Sequence, residues 1–136
     1  MSADPTIRNF LRAGTQRLTA GRFLAQGGFC LDAIYLAGYG PELALKALIL
    51  AHTPVSQRQE KTQSFHGQAG HDYGHLRQLL TDAGRAIPKE IAAHLERVNS
   101  WRNQLRYSTE TRSLQDAKGF LIAAQAILDW ADRSIG

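Results

Sequence analysis

The sequence predicts an all-α protein, an up-and-down bundle of about five helices in a single domain spanning residues 1–136. Three observations carry that expectation. Apolar residues recur at steps of three and four through most of the chain, the spacing that gathers them on one helix face. No run alternates apolar and polar as a strand does. Proline, glycine and capping residues punctuate the ends of the periodic segments.

The first helix opens at Asp4-Pro5, a capping carboxylate followed by proline at the first helical position. Ile7, Phe10, Leu11, Gly14, Leu18 and Phe23 trace its apolar stripe, and Gly27-Gly28 ends it. The second runs from about Phe29 to His52, closed by Thr53-Pro54. Pro41 lies inside it and removes a backbone donor, which predicts a kink near Gly38 to Pro41. Residues 53–70 are polar and aperiodic. They are expected to form a long mobile loop with only Val55 and Phe65 as apolar anchors. A short third helix is expected from about His71 to Ala83, with Leu76, Leu79 and Leu80 facing inward and Gly84 as its stop. Pro88 opens the fourth, whose core face is Ile87, Ile91, Leu95, Val98, Trp101 and Leu105. The run from Ser113 to Asp116 is a capping box for the fifth, along which Leu114, Ala117, Leu121, Ala124, Leu128 and Ile135 recur. Two long helices are thus followed by three shorter ones.

Composition narrows the function classes. With 43% hydrophobic and 21% charged residues, the chain is a folded domain with a real core. The single Cys30, between Phe29 and Leu31, excludes an internal disulfide and reads as a buried core residue. Asp32, Glu42 and Lys46 interrupt the most apolar run, so no membrane span is expected. The opening MSADPTIRNF has no apolar signal core, and a cytoplasmic protein is the expectation. Sixteen basic residues against twelve acidic give a net charge of +4, and twelve of the sixteen are arginine. Arginine grips phosphate and carboxylate with a planar fork; an excess this small admits an anionic partner without requiring one. Neither a phosphate-binding glycine loop, a dinucleotide fingerprint nor a nucleophile elbow occurs. No cofactor is expected.

The most informative stretch is Asp32 to Ala51. It is apolar nearly all round, which predicts burial among other helices. One stripe differs: Asp32, Tyr35, Tyr39, Glu42 and Lys46 fall at helical steps on a single face. Buried charges need partners, and Glu42 before Lys46 at four residues is the favoured order for an intrahelical pair. The small residues Ala33, Ala37, Ala44 and Ala51 form a second row that admits close helix approach. His71 and His75 are four apart, with His66 in the preceding loop, a spacing compatible with zinc; supporting ligands are too thin to expect a metal. His71-Asp72 also reads as a helix start.

Three segments together resemble the HEPN domain family. AIYLAGYGPELALKALIL is similar to the family's second-helix pattern of small residues, an aromatic, a glutamate and an Ala-Leu-Lys-Ala-Leu run. HDYGHLRQLL is similar to the His-Asp-Leu helix start that follows the loop, and VNSWRNQLRYS to the segment carrying the family's functional arginine. The resemblance implies a helical domain that is often a metal-independent endoribonuclease, commonly dimeric, and often paired with a small nucleotidyltransferase in toxin–antitoxin systems. The family's nuclease motif is an arginine, a polar residue, three variable residues and a histidine. Arg102, Asn103, Gln104, Leu105 and Arg106 fill its first five places, and Tyr107 stands in the sixth. Tyrosine, with an unperturbed pKa near ~10, is a poor base at neutral pH, where histidine is an effective one.

The resemblance therefore implies an RNA- or nucleotide-binding module rather than an efficient nuclease. Its site residues would be Arg102, Asn103, Arg106, Tyr39, Glu42 and Lys46, with Arg102 and Tyr107 the candidates for residual catalysis. A homodimer and a nucleotidyltransferase-like partner are expected. Two alternatives stand beside this reading: an active ribonuclease in which another group replaces the missing histidine, and a bundle whose only partner is protein. Trp101, on the apolar stripe of the fourth helix, reads as core.

Overall fold

The computed structural model describes residues 4–105 and 113–135. Helix α1 runs from Pro5–Gln26, α2 from Cys30–Ala37, α3 from Tyr39–Ala51, α4 from Arg58–Gln63, α5 from Tyr73–Asp82, α6 from Lys89–Leu105 and α7 from Leu114–Ile135. Single 3₁₀ turns, Val55–Gln57 and Gln68–His71, flank α4. Among the described residues there is no strand. The all-α bundle follows the sequence expectation.

Capping chemistry sets several of the boundaries. The Asp4 carboxylate accepts from the backbone N–H groups of Thr6 and Ile7 at 2.8 and 3.4 Å. Asp72 does the same for α5 through Gly74 and His75, and Ser113 Oγ accepts from Asp116 N at 3.0 Å to start α7. Gly28 and Gly84 take positive φ after the helices they end, a conformation that favours glycine. Burial alone would raise the Asp4 pKa, but the Arg58 guanidinium and the two capping N–H groups outweigh it and hold the carboxyl below its ordinary value.

The expected second helix is two helices. Gly38 separates α2 from α3, and Pro41 supplies no N–H for the carbonyl of Ala37. The Tyr73 hydroxyl, carried in on α5, donates to the carbonyl of Gly38 and ties the break to the far side of the bundle. Helix α3 is the most enclosed element: from Gly40 to Leu50 only Leu43 is not fully buried. Helix α1 lies across α2 and α3, α7 packs on all three, α6 lies against α7, and α5 lies against α3.

Small residues make the crossing close. A Cβ on Gly21 would lie 3.2 Å from both the Ala33 carbonyl oxygen and Ala37 Cβ, and 3.3 Å from Leu121 Cδ2. Gly14 faces Gly40 in the same way. This crossing corrects one expectation. Ala33, Ala37 and Ala44 are wholly buried within the chain, so that row serves the protein's own packing and is not free for a second copy.

Other corrections concern the ends and the loop. Helix α7 has 22 residues, as many as α1, because Phe120, Ala123, Ile127, Trp130 and Ala131 extend its buried face. Phe23 and Leu114, on apolar stripes by periodicity, are exposed near the helix ends. Residues 53–70 are not structureless. Helix α4 lies within them, held by Arg58, which donates from Nε to the Thr53 carbonyl and pairs through Nη1 with Asp4, both at 3.0 Å. Phe65 is buried and meets Phe10 edge to face at 6.1 Å. The stretch Cys30–Ala51 is, by length and composition, apolar enough to cross a membrane despite its charges. Its interior position, with 78% of its 18-residue apolar window buried, is what marks it as core.

The close crossing has a measurable consequence. Gly21→Leu forces a side chain into occupied space and is expected to lower unfolding stability by about 1–3 kcal/mol in urea titration, the usual cost of overpacking. Stability at or above wild type would show that α1 does not sit this tightly on α2.

Candidate functional site

The polar stripe of the sequence is divided by the break at Gly38. Asp32 and Tyr35, on α2, are exposed. Tyr39 opens α3 half-buried and stacks edge to face on Tyr35, with ring centroids 6.0 Å apart. One turn further in, Glu42 and Lys46 are enclosed, only 2% and 5% exposed. Lys46 Nζ donates to Glu42 Oε2 at 3.0 Å. The expected intrahelical pair is therefore formed, and formed out of water.

Two groups from outside α3 complete this centre. His71 Nδ1 lies 3.0 Å from the same Glu42 oxygen, although 29 residues separate the two in sequence. Phe65 presents its ring to Lys46 Nζ, 5.6 Å from the centroid. Each charge thus has a specific partner on more than one side. This is the condition under which buried ions are tolerated, since removing a carboxylate or ammonium from water is costly unless it is paired and hydrogen-bonded. The His71 side chain is itself 52% exposed. The centre runs from the interior of α3 to the surface at the start of α5.

Sequence reasoning did not find this role for His71. Its spacing suggests a possible zinc ligand with His75, and its place beside Asp72 a helix start. Asp72 does cap α5, and His66 and His75 are exposed. No cluster of metal-ligating side chains occurs among the described residues. The available signal was a glutamate in a nearly all-apolar helix: a carboxylate there needs donors, and Lys46 alone leaves lone pairs unfilled.

The arginine segment is placed in part. Arg102 and Asn103 belong to the last turns of α6, and their side chains lie outside the described residues. Arg106 and Tyr107 also lie outside them. Trp101, half-buried, packs against Phe120 of α7 at 6.3 Å, which fits its reading as a core residue. The proximity of Glu42 and Lys46 to the arginines therefore stays a proposal.

Removing one member of the buried pair should be far worse than removing both charges. Lys46→Met is expected to cost about 3 kcal/mol or more, because the buried Glu42 charge loses its ammonium partner and keeps only the half-exposed His71. Adding Glu42→Gln in the same chain should recover most of that loss. Chemical denaturation of the single and double variants checks this. Additive losses would mean the two charges are not coupled.

Against known proteins, the family model described as HEPN domain matches residues 7–134. No curated protein and no solved structure matched the chain. The family match runs from the first turn of α1 into the last turn of α7 and takes in the whole Glu42–Lys46–His71 centre. On that match and an all-helical bundle of the kind the family implies, the chain belongs to the HEPN domain family.

Proposed function

We propose that this protein is an RNA- or nucleotide-binding HEPN module. It acts as a homodimer beside a nucleotidyltransferase-like protein, in a setting of the toxin–antitoxin kind. The observation that carries the reading is the segment Arg102-Asn103-Gln104-Leu105-Arg106, which begins on the last turns of α6 inside the family match. Two arginines four residues apart in sequence, with the amides of Asn103 and Gln104 between them, are suited to phosphate oxygens. The proposed surface is Arg102, Asn103 and Arg106, with Tyr39, Glu42 and Lys46 forming its α3 side. Tyr107 holds the place of the motif's histidine, so cleavage of RNA by this domain needs a different proton acceptor. Support for self-association comes from the family and from large apolar side chains left open to solvent, Phe23 at 76% and Ile122 at 67%.

Binding to a single-stranded RNA oligonucleotide should weaken with salt, because each neutralised phosphate releases counterions. Arg102→Ala with Arg106→Ala should reduce affinity and lower the magnitude of the salt slope by about 1.4, the single-strand value for two phosphates. Fluorescence anisotropy across a salt series, with thermal unfolding as a control, measures both. Absence of binding by wild type at low salt would end the nucleic-acid reading and leave protein as the partner. Sedimentation at micromolar concentration should show a dimer, and a monomer throughout would exclude the assembly proposed here.

A further inference from the structure

We infer that α7 carries a self-complementary docking stripe: it packs antiparallel against α7 of a second copy, with Lys118 of each chain on Asp129 of the other. This deepens the homodimer proposed above, and rests on it, by assigning the face that joins the copies.

The stripe follows from the helical repeat. Lys118, Ile122, Gln125 and Asp129 succeed one another at steps of four, three and four, so they share one face of α7. The opposite face, through Phe120, Ala124, Ile127 and Ala131, is buried in the bundle. At the middle of the outward face Ile122 is left 67% exposed. It borders a groove of about 540 Å³ between α7 and the last turns of α1, where Ala25, Leu121 and Ala126 add further apolar surface. An open apolar centre of this kind marks a surface that another molecule covers.

The two ends of the stripe carry opposite charges that the chain itself leaves unmatched. The Lys118 side chain forms no ion pair or hydrogen bond among the described residues. Gln125 accepts from Arg22 across the groove and donates to Asp129 Oδ1 at 2.8 Å. Those bonds hold the Asp129 carboxylate in place, yet no cation pairs with it among the described residues. Asp132 adds a second carboxylate at that end, facing Arg12 on the α1 wall. Lys118 and Asp129 cannot meet within one chain, because the eleven residues between their positions put them about 16 Å apart along the axis.

A two-fold axis midway between them removes that separation. It reverses α7 and brings each charge onto its opposite in the second copy, twice over. The same register sets Ile122 against Gln125, and Leu114, itself 44% exposed, against the aliphatic stem of Arg133. It also sets the two helix dipoles antiparallel. A parallel pairing would instead stack Lys118 on Lys118 and Asp129 on Asp129, so charge decides the orientation. The result has an apolar centre between polar ends, the usual anatomy of an interface. It is built wholly from described residues and needs nothing from the arginine segment.

The test is sedimentation of the full chain at micromolar concentration and low salt. Wild type should form a dimer. Lys118→Glu sets glutamate against aspartate at both ends, and Asp129→Lys sets lysine against lysine; each should weaken self-association by about ten-fold or more. Mixing the two variants in equal amounts should restore wild-type association, because one chain then carries acid at both positions and the other base at both. Lys118→Glu with Asp129→Lys in a single chain should associate on its own. Lys89→Glu, the same change of net charge at the start of α6, should behave as wild type. All three positions are exposed, and thermal unfolding checks that each variant is folded. A wild-type dimer indifferent to either single reversal overturns the stripe and leaves the homodimer joined by another face. Loss in both variants without recovery on mixing overturns it as well. Wild type that stays monomeric removes the stripe and the homodimer together.

Discussion

A carboxylate with almost no access to water governs the arrangement around it. Glu42 is placed by the helical repeat of an otherwise apolar segment, so burying that segment buries the charge. The cost is met by geometry: an ammonium one turn along the same helix and an imidazole brought from the start of α5. That requirement fixes more than the three side chains. It brings the 3₁₀ turn Gln68–His71 down onto α3, and with it Phe65, whose ring faces Lys46. The segment is thus held both by the His71–Glu42 contact and by the burial of Phe65 against Phe10.

Close approach of backbones makes that burial possible. Gly14, Gly21 and Gly40 let α1 cross α2 and α3 at distances where a side chain would collide. The same crossing explains why α3 has almost no free face: α1 covers one side, α7 another and α5 a third. The Tyr73 hydroxyl meets the Gly38 carbonyl at the one point where the helical run is broken, so a break imposed by Pro41 becomes an attachment for α5. Fold and candidate site share these residues, and a change meant for one is felt by the other.

The elements themselves were legible because their signals are local. Asp4-Pro5, Asp72 and Ser113 cap helices through their own side chains, and periodic leucines mark core faces. The Glu42–Lys46 pair was legible for the same reason, being one turn of one helix. What escaped was tertiary. His71 becomes a partner of Glu42 only once α5 is docked, and α4 forms where Arg58 can reach both Asp4 and the Thr53 carbonyl. Phe23 and Leu114 obey the period and still face solvent, because periodicity names a side of a helix without saying how far the neighbouring helix extends.

The stretch from Cys30 to Ala51 carries a consequence for biosynthesis. It is apolar enough to resemble a membrane-spanning segment, and its cover is assembled from both directions in the chain. Helix α1 has left the ribosome before it, but α5 and α7 are made later, α7 last of all. Until those helices are made, α1 is the only one of these three covering helices already synthesised. Glu42 and Lys46 are then still hydrated charges, and each raises the cost of transfer into lipid. The ion pair that ends up at the heart of the folded bundle begins as a mark that distinguishes the segment from a transmembrane helix while the protein is being made.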